Sequence, residues 1–418
     1  MKRKMDFDVI VVGGGPVGCA VARDVAAAGR RVLVLEEHRE IGVPVQCAGL
    51  ISERTLKISR APAGIVLNRL RGALVYAPGE KVLRLEGKDV YALVVDRRAF
   101  DRSLAEQARR AGAQIFCDAR AVNFTYGPGG IQVEVRNGNA QAQTRRFSCR
   151  LLIGADGHNS LVARLLGLSR PRERVSLYAA EVLLPRDNGR LTQRLARIFL
   201  GRGLAPGWFG WIFPTGGNRA RVGVGASPLA GENGTQPKPP RLLFEQLTAR
   251  YPAIFEGMQV LQTTGGTVPI GLLERTYAER VLLAGDAAAH VKPISGGGLY
   301  LGLRAAQDCA ATAVEALDAQ NFSAEFLSAY QARWEAAIGM EIHCGLKHRE
   351  TFLQMENEEM DFLISFLNRP VWQKLILKYG DLDHHSRLAA RLAFVPPWAA
   401  RFLNAGLKTL LRGMRKAE

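Results

Sequence analysis

Short, uninterrupted apolar runs flank a helix-forming stretch at the start of the chain. The runs VIVV and VLVL, both within residues 8–36, enclose the stretch VGCAVARDVAAAG. Continuous apolar runs of this length are typical of strands buried on both faces of a parallel sheet. The pattern therefore predicts a β–α–β unit, in which the chain crosses from one strand to the next through a helix.

The hydrophobic pattern changes further along the chain. Residues 96–124 predict a helix followed by a strand, and the turn signal Asn137-Gly138 predicts a β-hairpin that returns to the sheet. From about residue 172 to 270 strand patterns dominate, and residues 280–289 restore a buried strand before a long helix. The remaining segment has helical patterns. This order predicts an α/β chain, α+β overall, with a strand-rich second unit and a helical end.

A glycine-rich turn lies inside the first predicted β–α–β unit. Gly13, Gly15 and Gly18 have the G-x-G-x-x-G spacing directly after a strand, and Glu36 ends the second strand. Such glycines permit a tight turn and let a pyrophosphate approach the backbone at a helix N-terminus. Glu36 would accept a hydrogen bond from a ribose 2′-hydroxyl and repel a 2′-phosphate, which favours FAD or NAD(H) over NADP(H) here. A chance match of the spacing is the alternative.

Two later strands also end in a Gly/Asp sequence. One ends in Gly154-Ala155-Asp156-Gly157, and the other in Gly285-Asp286 ahead of Gly296–Gly298 and a helix. An isolated Asp-Gly pair is equally typical of a plain turn. Asp286, however, could bind ribitol hydroxyls, and the positive end of the following helix would stabilise negative charge on a reduced flavin. A second Gly-Asp strand end therefore favours FAD over a nicotinamide dinucleotide, because FAD is the longer and more polar ligand.

The charge balance points to an anionic partner. Lys and Arg outnumber Asp and Glu by 56 to 39, a formal net charge of +17. Because no Lys/Arg-rich run accompanies this excess, an anionic membrane surface or phosphorylated substrate is favoured over nucleic acid. Residues 391–418 predict an amphipathic helix, which would either dock on anionic lipid or pack on the protein with its basic face outward. Its apolar face carries Leu403, Leu407, Leu410, Leu411 and Met414, and its basic face carries Arg401, Lys408, Arg412 and Arg415.

Cysteine usage and hydropathy limit the compartment. The six cysteines form no C-x-x-C pair, which argues against a zinc or iron–sulfur site and leaves the metal prediction at none. The first apolar run is short and enters the glycine turn, so it predicts a strand instead of a signal peptide. No apolar stretch reaches the roughly 18 residues of a membrane span. We therefore expect a cytoplasmic protein, for which peripheral binding to the inner face of the membrane stays open.

The three glycine/aspartate motifs, in this order, resemble those of the p-hydroxybenzoate-hydroxylase-like FAD-dependent oxidoreductases. Within that superfamily, the chain is similar to the geranylgeranyl reductase family over roughly residues 6–350. The narrower resemblance rests on VPVQCAGLIS, which resembles the family's cysteine-glycine loop, and on PGWFGWIFP, which resembles its P-x-x-Y-x-W-x-F-P signature. Phe209 stands where that family has Tyr, so a hydroxyl is missing from the signature while its apolar character is kept.

The resemblance implies a Rossmann-type FAD-binding domain, an antiparallel-sheet substrate domain and a helical C-terminal region. The corresponding limits are 1–171 with 272–320 for the FAD-binding domain, 172–271 for the substrate domain and 321–418 for the helical region. It also implies that Arg97 approaches the ribityl or phosphate part of FAD, that Asp156 lies indirectly near the pyrophosphate, that Asp286 binds the ribitol, and that Gly297 and Gly298 face the flavin pyrimidine.

Members of this family saturate C=C bonds of prenyl chains on lipids, chlorophyll precursors or quinones. The resemblance implies a hydride from reduced flavin, an external reductant such as NAD(P)H or ferredoxin, and a prenyl-lipid or prenyl-diphosphate substrate. An unactivated alkene offers no carbonyl to polarise, so a water-poor apolar slot would be the main catalytic device. Phe209, Trp211 and Phe213 are expected to line it on one face of a strand; simple core packing is the alternative.

Three polar side chains are candidates for the chemistry. Cys47 lies in the loop matched to the family's cysteine and is the best candidate for proton donation or positioning, although an isolated Cys is commonly an inert apolar residue. His290 follows the second Gly-Asp end and is the next candidate, with a structural histidine as the alternative. Lys292 could neutralise flavin or substrate phosphate, or be solvated.

Other functions remain open from the sequence. A FAD-dependent monooxygenase acting on an apolar substrate shares the fold and all three motifs. A flavin halogenase would carry W-x-W-x-I-P where Phe209 and Phe213 interrupt it. A quinone-linked electron-transfer flavoprotein would need a cysteine-ligated cluster, but only Cys309 and Cys344 lie in the C-terminal third. A lipid-binding module without FAD is the non-enzymatic alternative.

Overall fold

The computed structural model describes residues 5–137, 144–185, 193–231 and 237–388. The amphipathic helix predicted for residues 391–418 lies outside these ranges. In chain order the strands are β1 Phe7–Val12, β2 Val32–Leu35, β3 Leu50–Ile51, β4 Val66–Leu70, β5 Gly72–Tyr76, β6 Val82–Glu86, β7 Ala92–Val95, β8 Gln114–Phe116, β9 Ala119–Gly127, β10 Gly130–Asn137, β11 Arg145–Gly154, β12 Glu173–Leu183, β13 Leu195–Phe199, β14 Gly210–Gly216, β15 Arg219–Ala226, β16 Gln259–Ile270, β17 Tyr277–Ala278 and β18 Val281–Leu283. The α-helices are α1 Pro16–Ala27, α2 Glu53–Ser59, α3 Arg97–Arg110, α4 Leu161–Leu165, α5 Pro240–Arg250, α6 Pro252–Phe255, α7 Leu299–Ala319, α8 Ala324–Trp334, α9 Met340–Gln354, α10 Asn357–Leu367 and α11 Pro370–Tyr379.

The first sheet carries the predicted β–α–β unit at its centre. Strand β1 pairs in parallel with β2 on one side and with β11 on the other, and β11 pairs in parallel with β18. Alternate residues of β1 face opposite layers: Val9 and Val11 pack in a core with α1, α3 and α7, while Ile10 and Val12 pack with β9 and β10. Burial on both faces explains the uninterrupted apolar runs. The carboxyl ends of β1, β11 and β18 therefore meet at one edge of the sheet.

The second sheet has seven strands in the order β16-β12-β15-β14-β13-β5-β6. Its pairs are antiparallel except for β13 with β5, which run in parallel. One face packs on α5, and the other carries the tryptophans of β14 and the loop before it. By strand pairing, residues 72–86 join this sheet, although the predicted limits placed them with the FAD-binding domain. That pairing joins strands far apart in the chain, which a local hydrophobic pattern does not reveal; the domain limits themselves stay a prediction.

Helices close the structure around the first sheet. Helix α7 packs so tightly on α1 that a Cβ at Gly302 would lie 2.7 Å from a methyl carbon of Val17. Helices α8 and α9 follow and are joined by a π-helical turn over Glu335–Gly339. Within the described ranges, no helix combines the length and the apolar character needed to cross a membrane.

Candidate functional site

The glycine turn after β1 is shaped by backbone contacts that leave one side open. Gly13 has a φ of +104°, and a Cβ there would lie 2.2 Å from the carbonyl oxygen of Ala155. A Cβ at Gly18 would lie 2.0 Å from the carbonyl oxygen of Gly13. Gly15, by contrast, has no atom within 4 Å of its Cβ position and forms the N-cap of α1. The turn therefore presents free space at the positive end of α1, where a pyrophosphate binds in such motifs.

The two acidic residues beside this turn already have partners in the protein. The Glu36 carboxylate accepts hydrogen bonds from the Gly14 N–H at 2.8 Å and from the His38 N–H at 2.9 Å. Asp156 accepts from Ser160 Oγ at 2.6 Å and from the N–H of Leu161 at 2.7 Å, which caps α4. Carboxylates retain further lone pairs, so ribose binding by Glu36 and an indirect role for Asp156 both stay predictions.

Asp286 lies further along the same edge, at the end of β18. Its carboxylate makes no hydrogen bond to any residue in the described parts of the chain. One of its oxygens lies 3.0 Å from the position that a Cβ of Gly298 would take, beside the N-terminus of α7. Burial raises the pKa of Asp286 to about 6, and the Arg97 guanidinium acts in the opposite direction. A desolvated carboxyl group without a protein partner is suited to ligand hydroxyl groups.

These features follow one another along the carboxyl edge of the first sheet in the order of the groups in FAD, and we call this predicted FAD seat the cofactor groove. The open Gly15 and the α1 N-terminus suit the pyrophosphate, and Asp286 suits the hydroxylated ribityl chain. Gly297 and Gly298 at the α7 N-terminus pack against Lys292 and Asp286, and their place beside the flavin ring stays a prediction. Val17 joins the two ends, because it packs against Gly285 and Gly302. The residues present therefore fit FAD, and the assignment of each residue to a part of FAD stays a prediction.

The structure brings Cys47 next to this groove. The Arg97 guanidinium donates two hydrogen bonds of 3.0 Å to the Asp101 carboxylate and also reaches the thiol of Cys47. Although burial disfavours its charge, Asp101 and Cys47 hold the pKa of Arg97 above the ordinary value. The Arg97 charge also acts on Asp286, so one guanidinium acts on both the predicted ribityl site and the half-buried cysteine.

Strands of the second sheet hold the cysteine loop from the other side. Arg221 on β15 donates hydrogen bonds from Nη1 to the carbonyl oxygens of Ala48 at 3.0 Å and Val95 at 2.8 Å. Thr264 on β16 donates from its hydroxyl to the carbonyl oxygen of Val45 at 2.7 Å. Strands β15 and β16 thus fix the backbone of the cysteine loop on both sides of Cys47. Arg221 was not predicted, because no motif in the sequence marks a guanidinium that acts on a distant loop.

The four aromatic residues of the WFGWIF stretch lie together, and Trp208 packs against Gly296 in the turn before α7. Trp211 and Phe213 share one face of β14 with ring centroids 6.3 Å apart, and Phe209 contacts Trp211 edge-on at 6.0 Å. Trp208 joins them by stacking on Phe209 at 5.2 Å. Leu346 and Leu382 pack against the same cluster. The arrangement provides a broad apolar wall, and contact of that wall with a substrate stays a prediction.

Two glycines on β15 make room for the indole rings. A Cβ at Gly223 would lie 2.2 Å from Trp211, and one at Gly225 would lie 2.2 Å from Trp208. Gly223 is the register partner of Trp211 across the β14–β15 pair. The alternation V-G-V-G in RVGVGA was a usable signal, because glycines at every second position of a strand mark one face that something large approaches.

The ring of His290 is buried in the protein and is not exposed at the groove. The ring is fully buried 4.7 Å from Trp334 and 6.5 Å from Tyr330, and neither ring nitrogen has a hydrogen-bond partner in the described parts of the chain. Burial lowers the pKa of His290 to about 3. A neutral ring in apolar surroundings favours the structural alternative over proton donation, and the catalytic role stays an untested prediction.

The depressed pKa of His290 predicts an effect on stability. Because the unfolded chain has a histidine pKa of about 6.5, acidification protonates the unfolded state first, and stability falls as the pH drops from about 6.5 towards 3. The variant His290→Phe has no imidazole at this position and should lose this part of the pH dependence of stability. Between pH 7.5 and pH 5.5 we expect the unfolding free energy of the wild type, measured in urea with saturating FAD, to fall by ~1 kcal/mol more than that of the variant. Equal pH slopes would show that the folded protein protonates His290.

A buried ion pair supports the aromatic wall from behind. Arg349 on α9 donates from Nε to Glu173 at 2.6 Å, and its Nη2 donates to the carbonyl oxygen of Gly207 at 3.1 Å. Its guanidinium carbon lies 4.8 Å from the ring centroid of Trp208. Ser227 donates its hydroxyl hydrogen bond to the same carboxylate. Nothing in the local sequence around Glu173 or Arg349 signals this pair, since the two residues are brought together only by the tertiary fold.

Comparison with known proteins identifies the family. The FAD binding domain family matches residues 6–338. Digeranylgeranylglycerophospholipid reductase 2 of Methanopyrus kandleri is 35% identical over 87% of this chain and 91% of its own length. Digeranylgeranylglycerophospholipid reductase of Methanothrix thermoacetophila is 32% identical over 96% of this chain and 100% of its own.

Solved structures show the same fold. A geranylgeranyl bacteriochlorophyll reductase-like protein from Thermoplasma acidophilum has a TM-score of 0.82 at 23% identity, over 96% of this chain and 99% of its own. The p-nitrophenol 4-monooxygenase PnpA of Pseudomonas putida has a TM-score of 0.68 at 17% identity, over 89% of this chain and 96% of its own. The predicted fold class, the FAD cofactor and the family resemblance are confirmed. The chain belongs to the family of FAD-binding oxidoreductases that includes the digeranylgeranylglycerophospholipid reductases.

Proposed function

We propose that this flavoprotein saturates C=C bonds of a prenyl chain of the geranylgeranyl type, carried by a lipid, a diphosphate or a quinone. Bound FAD, once reduced, would supply the hydride that adds to one alkene carbon, and the second carbon would take a proton. The relatives named digeranylgeranylglycerophospholipid reductase support a prenyl-lipid substrate. The external reductant that we propose is NAD(P)H or ferredoxin.

The apolar wall is the observation that carries this proposal. Trp208, Trp211 and Phe213 are buried in one cluster, Phe209 is partly buried among them, and Val291, from the segment that follows Asp286, belongs to the same cluster. An isolated alkene has no polar group to bind, so its position depends on shape and on exclusion of water. Four aromatic rings with packed leucines provide both for a long hydrocarbon. Because Phe209 carries no hydroxyl, no hydrogen bond from that ring orients the substrate.

Cys47 is the proton donor in this proposal. Its thiol lies beside the Arg97 guanidinium, and Arg221 fixes the carbonyl group of the neighbouring Ala48 at 3.0 Å. These contacts hold the thiol at the boundary between the cofactor groove and the second sheet. A donated proton is replaced from solvent, since Cys47 is only partly buried.

An anaerobic product assay tests the function. The protein, reduced by dithionite, is mixed with geranylgeranyl diphosphate, a geranylgeranyl lipid or a menaquinone, and product mass is followed. We expect a gain of two hydrogens for each bond reduced. A hydroxylated product that forms only with NADPH and oxygen would instead support the monooxygenase alternative. That function is the second candidate, because p-nitrophenol 4-monooxygenase has the same fold.

Replacing the cysteine should slow the reaction without affecting the cofactor. For Cys47→Ser we expect product formation to fall roughly 100-fold, the usual range for loss of a general acid. The flavin absorbance and the rate of dithionite reduction should be unchanged. Cys344→Ser, a change at another partly buried cysteine, serves as the matched control and should keep full turnover. Unchanged turnover in Cys47→Ser would remove the thiol from the mechanism.

We also propose that the enzyme acts on the cytoplasmic face of a membrane. The support is the net charge of +17 and the amphipathic pattern of residues 391–418. A prenyl-lipid substrate would reside in such a membrane.

A further inference from the structure

Lys292 is a buried cation directly beneath the glycines at the α7 N-terminus. A Cβ at Gly297 would lie 2.6 Å from Cε and 3.0 Å from Nζ of Lys292, so the ammonium group packs directly against Gly297. The side chain is 7% exposed, which excludes the solvated alternative considered from the sequence. Its Nζ donates to the carbonyl oxygen of Leu382 at 2.5 Å and to Asp383 Oδ1 at 3.3 Å.

Both of these acceptors lie on one segment near the end of the described chain, which we call the C-terminal strap, residues 380–386. Asp383 is 1% exposed and also accepts from Ser52 Oγ at the N-terminus of α2. The strap is fixed at two further places. Asp381 binds Arg54 at 2.6 Å, and Ser386 donates its hydroxyl hydrogen bond to Glu341 on α9.

The charges around Lys292 oppose one another. Burial lowers the pKa of Lys292, while Asp383, Asp381 and Glu341 act to raise it. His385 also faces this cluster, and burial with the Lys292 charge lowers its pKa to about 4, so that ring is neutral. An ammonium group that has lost its water and is shared with one carboxylate acts strongly on any charge that develops nearby, since the local dielectric is low.

The position of the ammonium group relative to FAD follows from the order of the groove. With the pyrophosphate at Gly15 and the ribityl chain at Asp286, the ring would come to Gly297 and Gly298, and Lys292 packs against the first of these glycines. Two-electron reduction with uptake of one proton leaves one negative charge on the ring system. The Lys292 ammonium stabilises that charge, and the Asp383 carboxylate opposes it.

We propose that Lys292 and Asp383 form an opposed charge pair that sets the reduction potential of the bound flavin. Lys292 raises the potential by favouring the reduced anion. Asp383, a positioning residue carried by the C-terminal strap, lowers it and holds the ammonium group beneath Gly297. The strap thereby couples the region after α11, which also places Leu382 against the aromatic wall, to the electronic state of the cofactor. The inference rests on the FAD site and not on the identity of the substrate.

The test is the midpoint potential of the FAD-loaded enzyme, measured anaerobically at pH 6 against a reference dye. Lys292→Met should lower the preference for the reduced form about tenfold, which is about 30 mV for a two-electron couple. Asp383→Asn should shift the potential in the opposite direction. Sulfite, which adds to oxidised flavin and creates a negative charge, provides a second measurement: its affinity should fall in Lys292→Met and rise in Asp383→Asn.

Opposite signs distinguish this pair from a merely structural one. If both variants shift the potential in the same direction, or if neither shifts it, the proposal is wrong. Should Lys292→Met bind FAD poorly, the double variant Lys292→Met/Asp383→Asn removes both charges, and its potential should return towards that of the wild type. None of these measurements needs a prenyl substrate, so failure of the anaerobic product assay and failure of this proposal are separate results.

Discussion

Adding one methyl group at Gly15 should weaken FAD binding about tenfold or more, ~1.4 kcal/mol, while leaving the protein without cofactor nearly as stable as before. Gly15 has a φ of −69° and open space around its Cβ position, so the chain itself accommodates alanine. The exchange at this N-cap position should cost less than about 1 kcal/mol of stability. The methyl group would, however, fill the space where the backbone must approach a pyrophosphate.

Gly18→Ala is the matched control three residues further along. Its Cβ would lie 2.0 Å from the carbonyl oxygen of Gly13, so the turn itself must move. We expect a loss of about 3 kcal/mol in the urea unfolding free energy of the protein without cofactor, together with weak FAD binding. FAD titration followed by flavin fluorescence, with urea unfolding of each apoprotein, separates the two effects. Normal FAD affinity in Gly15→Ala would show that the pyrophosphate lies elsewhere.

The parts that could be predicted from the sequence are those that depend on neighbouring residues. The buried runs around the glycine turn fix a β–α–β unit, because periodicity and turn geometry act over short distances. The W-x-x-W stretch and the V-G-V-G alternation of β15 predict one crowded face in the same way. Sheet membership is different: β5 pairs with β13 across more than a hundred residues of chain, and no local pattern near residues 72–76 identifies that partner.

The parts that could not be predicted are polar contacts made by the tertiary fold. Solvation was one of the two alternatives for Lys292, because nothing near it in the chain signals the carboxylate of Asp383, 91 residues away. His290 was considered for catalysis from its place after Gly285-Asp286, yet its ring turns into the core beside Trp334. A strand end fixes where a backbone lies, but the direction of each side chain depends on what packs around it.

The ion pair behind the aromatic wall gives the largest predicted loss of stability. Arg349 and Glu173 have side chains only 3% and 2% exposed, and Nη1 of Arg349 has no partner in the described parts of the chain. Glu173→Gln would leave this cation buried without its counter-charge. We expect about 3–5 kcal/mol of lost unfolding free energy, and a similar loss for Arg349→Met, which leaves the carboxylate with only Ser227.

The double variant separates the ion pair from simple packing. Because Glu173→Gln/Arg349→Met leaves no unpaired charge, it should be less destabilised than the sum of the single changes, with a coupling energy of several kcal/mol in urea unfolding. The adjacent pair Arg172–Glu350, also bound at 2.6 Å but 64% and 56% exposed, is the matched control, and Arg172→Met should cost at most about 1 kcal/mol. Additive losses at the buried pair would mean that its charges do not interact as the geometry requires.

Since Arg349 lies against Trp208, single variants that remain folded should also lose turnover of prenyl substrates, because the ring that stacks on Phe209 is no longer held in place.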